Sequence, residues 1–357
     1  ALDRKETSLS AELSALGSLK SVLSSLDATL APLADGSAFD VVSIESPASV
    51  GVVQTGSPSI GQYSLEVDSL ASSQVLATSP YVSATTAVGS GSLTISLGEP
   101  SYPGLPASGE YSGFTPASGK TVTLNLDSSN NTVAGVRDAV NAANIGVTAS
   151  LVTDGGNTRL LFTADDTGAN TAISITTTDT ALSDLAHGYS SDGSPPFISN
   201  LTEARVPADA AFKLNGLSLT NSSNNIENLV EGLNFTLKAV TTSAQSVNVS
   251  KDTATIESKV QAFVDDYNVY QTTLTSLMDY QDAAGALSGD ATARRIQGAL
   301  RALATGTLSI SGNAFSSVSE LGITSDKSGL LTLDTTKLNS AMASNIGDAK
   351  EFFAGAT

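Results

Sequence analysis

"TIESKVQAFVDDYNVYQTTLTSL", residues 255–277, carries its apolar side chains at Ile256, Val260, Phe263, Tyr267, Tyr270, Leu274 and Leu277. The intervals alternate four and three without a break, the heptad spacing of a helix packed along one seam against another helix. A partner of the same kind stands at the other end of the chain. Leu2, Leu9, Leu16, Leu23 and Leu30 recur every seven residues with Leu13, Leu19 and Leu26 between them, and Pro32 and Gly36 are expected to end that helix. Two heptad helices at opposite ends predict a discontinuous, coiled-coil-like helical leg formed by both chain ends, with everything else inserted into it.

In the insertion the period changes to two. Tyr63, Leu65 and Val67 alternate in "YSLEVDSL", Leu93, Ile95 and Leu97 in "SLTISL", Val122, Leu124 and Leu126 in "TVTLNL", and Ile173 with Ile175 in "AISIT". Such runs predict mainly antiparallel sheets with one wet face. The expected fold is therefore α+β and multidomain. A helical domain takes residues 1–40 plus 251–357, an inner β-rich domain 41–80 plus 201–250, and an outer β-rich domain 81–200 nested within it.

Two segments echo one another. "TLNLDSSNNTVAGVRDAV" (123–140) and "LSLTNSSNNIENLVEGL" (217–233) each read as a strand, a Ser-Ser-Asn-Asn tetrad and a short helix, with Val133, Val136, Val140 or Ile226, Leu229, Leu233 as the buried stripe. Either a repeated unit or two independent helix caps accounts for the echo. "SLGEPSYPGLPASGEYSGFTPASGK" (96–120) predicts a long surface loop, and "HGYSSDGSPPFISNLTEARVPADAA" (187–211) a loop or a crossing between β-domains. Beyond the seam, "SGDATARRIQGALRALATGTL" predicts a helix capped near Ser288 or Asp290, with Ile296, Leu300 and Leu303 inward. A turn at 326–329, a strand through Leu331 and Leu333, and a helix opened by Asp334 follow, and Phe352-Phe353 is an apolar pair awaiting a continuation.

Charge excludes whole classes of function. The formal net charge is −18, and residues 21–200 hold Lys120, Arg137 and Arg159 against sixteen acidic side chains, so no nucleic-acid partner is expected. Residues 251–357 mix eight basic with twelve acidic side chains, as interacting helices do. Cysteine is absent, which removes disulfides, thiolate metal sites and cysteine nucleophiles. No apolar run approaches the roughly 20 residues of a membrane span, so no membrane insertion is expected, and no basic-plus-apolar stretch of the signal-sequence kind is read in the chain. The chain opens without Met and already in helical register, and the expectation is a trimmed core of something longer.

The residues that carry chemistry elsewhere do not assemble here. His187 is the lone histidine and is expected to be exposed in its loop. Asp265 and Asp266 stand about 100° apart on a helix, on the wet flanks of the seam. "TADDTGAN" (163–170) and "VTDGGNTR" (152–159) lack the ligand series of a calcium loop and read as hairpin turns. With no "GxxxxGK[ST]" and no "GxSxG", catalytic residues, metals and cofactors are all expected to be none. Arg294, Arg295 and Arg301 share one short helix. They either pair with Asp279, Asp282 or Asp290 or form a cationic subunit contact for the acidic body of a neighbouring copy.

The order of these features resembles the flagellar hook-associated protein 2 family, the filament cap proteins of bacteria. The resemblance rests on "LGSLKSVLSSLDATLAPL", "GQYSLEVDSLASSQ", "GSLTISLG", "VAGVRDAVNAANIGVTASLVTDGGNTRLLFTADDTGAN", "DAAFKLNGLSLTNSSNNIENLVEGLNFTLKA", "VQAFVDDYNVYQTTL" and "LGITSDKSGLLTLDTTKL", in the family's order across nearly the whole chain. It implies a secreted, extracellular assembly protein at the distal tip of the flagellum, no enzyme, that self-associates into a ring and promotes insertion and folding of flagellin beneath it. Junction proteins and an export chaperone are further implied partners, and terminal heptad segments absent from this chain are implied at both ends. Another axial flagellar protein, or an adhesin gripping a host surface, is the competing expectation.

Overall fold

The computed structural model describes residues 2–101, 113–188, 197–279, 285–307 and 310–355, with the side chains of 2–4, 303 and 305 outside the described set. The fold is α+β, and the chain divides into two compact units: a helical unit of Ala1–Ser43 with Ser250–Thr357, and a β unit of Ile44–Val249. The first helix, α1, spans Leu2–Ala34. Pro32 lies inside its last turn instead of beyond it, where it withholds one i→i−4 hydrogen bond and weakens the end of the helix. The stop comes from Gly36, at φ 78, where the left-handed backbone turns the chain and where a Cβ would meet the Lys350 side chain at 2.6 Å.

The β unit is built from antiparallel ladders. One sheet runs β1 (Val42–Glu45), β17 (Gln245–Lys251), β3 (Gly61–Ser69), β13 (Ala210–Leu214), β14 (Leu217–Asn221), and a smaller one β15 (Asn225–Val230), β16 (Leu233–Leu237), β2 (Val50–Gln54). A second pair of sheets follows. The four-stranded sheet orders β12 (Thr202–Arg205), β4 (Val75–Ala77), β8 (Asn157–Ala164), β7 (Val147–Asp154), and the five-stranded one β11 (Ile198–Ser199), β10 (His187–Gly188), β9 (Ala172–Thr177), β5 (Gly91–Ser101), β6 (Gly113–Leu126). Helix α2 (Val133–Ala143) lays Val133, Val136 and Val140 on a core that includes Leu93, Ile95, Leu160 and Phe162. That core runs from Leu76 to Leu201, so β4 and β12 belong with the 81–200 segment and not with the inner strands.

Several expectations change here for identifiable reasons. The echo holds on one side only: α2 is capped by Thr132, whose Oγ1 accepts from Gly135 N at 3.1 Å, and the tetrad closes on Asp127 instead. In the second copy Ile226, Leu229 and Leu233 fall in the β15–β16 hairpin. There β2 offers a pairing edge, with Phe235 opposite Val52, and Gly232 at φ 76 and Asn228 at φ 51 supply the turn and the bulge, so tertiary pairing overrides a helix-like apolar period. The Pro- and Gly-rich 96–120 stretch is the far end of the long β5–β6 hairpin, with 102–112 outside the described residues. Gly98 is required in it, since a Cβ would lie 2.1 Å from the Thr115 carbonyl oxygen. The "DGGN" turn joins β7 to β8 with Gly155 and Gly156 both at positive φ, as a two-residue hairpin demands.

His187 is not exposed. It sits in β10 between Ile175 of β9 and Ser199 of β11, 2 % exposed, edge-on to the Phe197 ring at 5.1 Å. The two short flanking strands draw what reads as loop into a sheet, and burial pushes the imidazole pKa down to about 4.

One buried polar side chain ties the outer sheets together. Gln74 is 0 % exposed; its Oε1 accepts from Ile173 N at 2.5 Å and its Nε2 donates to Glu203 Oε1 at 2.5 Å. Beside it Arg205 donates to Ser73 O at 2.6 Å. Gln74→Leu keeps the volume and removes the acceptor, which leaves the buried Ile173 amide without that bond. The expected cost is about 2 kcal/mol, read as a lower melting temperature of the β unit in calorimetry; an unchanged transition would show that the amide bond carries no stability.

The helical unit closes with α3 (Thr253–Met278), α4 (Ala291–Thr305), the hairpin β18 (Ile323–Ser325) and β19 (Leu331–Leu333), and α5 (Thr335–Ala354). Each helix start is capped by an aspartate: Asp252 for α3, Asp290 for α4 and Asp334 for α5. Asp252 N donates to Val41 O at 3.2 Å and Lys251 Nζ to Phe39 O at 2.9 Å, which fastens the start of α3 to the turn after α1 and makes the two helices antiparallel. Phe352 and Phe353 are drawn into the core of the helical unit. Both are buried, with the Phe353 ring 5.6 Å from Phe39.

Candidate functional site

The core of the helical unit is gathered around α3. Asp252 opens the helix by accepting from Thr255 N at 2.9 Å and Thr255 Oγ1 at 2.6 Å, and these bonds hold its carboxyl pKa below the usual value. From there Ile256, Val260, Phe263, Tyr267, Tyr270 and Leu274 are buried, Leu277 packs against the same core, and Val264 and Gln271 are buried beside them. Asp265 is exposed and bonded by Gln261 Nε2 at 2.8 Å, and Asp266 is half-buried on the seam's flank.

The α1 face is shifted from the expected one. Ala15, Leu19, Leu26 and Leu33 are buried and Leu23 and Leu30 half-buried, whereas Leu9, Leu13 and Leu16 are 67 %, 72 % and 45 % exposed. Leu26 and Leu30 share a cavity of about 140 Å³ with Tyr267 and Phe263, walled also by Phe352 and Phe353. Four residues back along one helix match four forward on its antiparallel partner, which brings Met278, the end of α3, level with Ala15. Leu9 and Leu13 therefore lie past the end of the helix that covers the rest of α1. Leu2 lies outside the described side chains.

Two side chains in the core have polar ends that spacing alone does not reveal. The Tyr267 and Tyr270 hydroxyls are buried without a hydrogen-bond partner among the described residues. Burial raises both phenol pKa values, that of Tyr270 to about 12, with the Arg301 charge acting in the opposite direction on Tyr267. Asn268, unnoticed as a spacer in the heptad, clamps β19: its Nδ2 donates to Leu331 O at 2.8 Å and its Oδ1 accepts from Leu331 N at 2.7 Å. Asn339 Nδ2 donates to Glu257 Oε2 at 2.7 Å and holds α5 to α3 in the same way. Asparagines between seam positions are a signal only once a neighbouring strand is known.

Of the acidic partners expected for the arginine helix, Asp290 is engaged elsewhere. The Asp290 carboxylate is committed to Thr292 N at 2.6 Å and Ala293 N at 2.9 Å, and Arg294 donates to the backbone oxygens of Gly289 and Asp290. Arg294, Arg295 and Arg301 are all exposed; Asp282 and the Leu303 side chain lie outside the described residues. Among the described residues no three His, Cys, Asp or Glu side chains are gathered to hold a metal ion, and no helix is long and apolar enough to cross a membrane.

Comparison with known proteins follows the architecture. The family described as "Flagellar hook-associated protein 2 N-terminus" matches residues 1–74, and "Flagellar hook-associated protein 2 C-terminus" matches 207–357. The interval between them is the segment organised by the core from Leu76 to Leu201. A flagellar hook-associated protein 2 of Escherichia coli K12 is 30 % identical over 97 % of this chain and 73 % of its own length. The B-type flagellar hook-associated protein 2 of Pseudomonas aeruginosa PAO1 is 29 % identical over 99 % and 74 %. Among solved structures, the D1-D2-D3 domains of the flagellar cap protein FliD from Escherichia coli match with a TM-score of 0.75 and 29 % identity, covering 96 % of this chain and 90 % of that one.

Proposed function

The chain belongs to the flagellar hook-associated protein 2 family, structural proteins of the flagellum and not enzymes, and we propose that it forms the cap at the distal, extracellular tip of the filament. In this reading it self-associates, and flagellin subunits are inserted and fold beneath it. Junction proteins and an export chaperone are its further partners. The helical seam of Leu23, Leu30, Ile256, Val260, Phe263, Tyr267, Tyr270, Leu274 and Leu277 closes the unit that takes part in this assembly, while Leu9 and Leu16 stay outside it.

The observation that supports the reading best is the uneven covering of α1. A helix anchored by Leu19, Leu26 and Leu33 in its own unit, yet showing Leu9 and Leu13 to solvent, keeps apolar surface in reserve for contacts made on assembly. A catalyst would instead converge polar side chains on a cleft.

The test is to image filaments from cells producing an epitope-labelled full-length protein, alongside cells in which its gene is deleted. Label at filament ends, with flagellin released unpolymerised into the medium on deletion, is the expected result. Label along the shaft or at the hook junction would replace the cap reading by that of another axial component.

A further inference from the structure

Helix α4 is the electrostatic exception of this molecule. Its fifteen residues, "ATARRIQGALRALAT", hold three arginines and no acid, whereas α1, α2, α3 and α5 all carry acidic residues. The buried side of α4 is formed by Ala293 and Ala304 with Ile296 and Leu300. At 100° per residue the opposite side centres on Gly298 and Ala302, with Arg294 and Arg301 along one border and Arg295 along the other. Arg294, Arg295, Ala299, Arg301 and Ala302 are exposed, and a Cβ on Gly298 would meet nothing within 4 Å. The floor between the guanidinium groups is thus bare enough for another backbone to approach the helix.

Among the described residues the charges of Arg294 and Arg295 are not consumed internally. Arg294 donates to two backbone oxygens, which orient its guanidinium without neutralising it, and neither Arg294 nor Arg295 is in an ion pair among the described residues. The complementary surface is present on every copy of the chain. Residues 44–249 hold seventeen acidic against six basic side chains, a net of −11.

We propose that the outward face of α4 docks on the acidic β unit of a second copy of this chain, with Arg294 and Arg295 as the contact. The proposal rests on the self-association argued above and adds the surface through which it runs. Such a contact reads carboxylates through planar, bidentate guanidinium groups, so arginine and lysine are not equivalent in it. It is heterologous, one patch on one copy meeting a different patch on the next, the geometry that generates rings when the rotation closes.

The test is sedimentation velocity of the full-length chain at low and high sodium chloride, for the wild type and for the double variant Arg294→Glu with Arg295→Glu. Both positions are exposed, so the melting temperature is a check that the variant folds. The wild type is expected to associate more weakly as salt rises, and the double variant to associate about tenfold more weakly at low salt, with its salt dependence flattened. Arg294→Lys with Arg295→Lys should retain part of the association. Association that is present but indifferent to both salt and the charge reversal overturns this contact alone. A chain monomeric at every salt and concentration overturns it together with the self-association beneath it.

Discussion

Tyr267→Asp is expected to unfold the helical unit while the β unit keeps its structure. Tyr267 is 2 % exposed at the centre of the seam, packed beside Phe263 and Tyr270 with ring centroids 6.4 and 6.3 Å away. Replacing it removes a large apolar surface, worth about 3–5 kcal/mol by analogy with other aromatic truncations. It also introduces a carboxylate that must either stay charged in an apolar core or take up a proton, adding several kcal/mol. A typical domain's whole stability of about 5–15 kcal/mol leaves little after both. The result is read in circular dichroism as loss of helix, and in limited proteolysis as a resistant fragment near residues 44–249. An unaltered helix signal and digestion pattern would refute the packing of α1 on α3 described here. Tyr267→Phe separates the two effects: it deletes only the unpartnered hydroxyl and should leave stability unchanged or slightly raised.

Acid should act on the other unit. His187 has its folded pKa lowered to about 4, against about 6.5 in an unfolded chain, so between those values the unfolded chain binds the extra proton and the folded one does not. The stabilisation is therefore complete above pH 6.5, shrinks as pH falls, and is exhausted below pH 4. The loss by pH 4 amounts to about 3 kcal/mol. Melting the protein from pH 7 to pH 4 should lower the transition of the β unit, and His187→Phe, whose ring fits the same slot against Phe197 without titrating, should flatten that part of the profile. Carboxylates titrate in the same window, so the difference between the two profiles is the quantity to compare. Coincident profiles would mean that the proton finds His187 without unfolding anything.

The seam on α3 was legible because a heptad written in Ile, Val, Phe, Tyr and Leu has one buried face whatever it meets. The α1 seam was legible only in part. Its leucines fit two overlapping stripes, one through Leu9, Leu16, Leu23 and Leu30 and one through Leu19, Leu26 and Leu33. Which stripe faces inward depends on how α1 is rotated against α3, and how many of its leucines are covered on where α3 ends; neither fact is held in a residue of α1 alone. Long-range pairing explains the other departures. Ile226 and Leu229 carry a helical period yet join a hairpin because β2 lies in reach, and His187 carries loop neighbours yet lies between strands. One histidine and no cysteine left no catalytic constellation to expect. The arginine helix was readable as charge, while the commitment of Asp290 to capping required coordinates.

The discontinuity of the helical unit also sets a clock. A chain delivered N-terminus first presents α1 long before α3, since Ala34 and Thr253 are separated by the whole of the β unit. The β unit can close its ladders during that interval, while the leucines of α1 wait uncovered and the slow, non-local pairing of α1 with α3 comes last. A truncated chain cannot complete that pairing at all, so closure of the helical unit reports that delivery has finished.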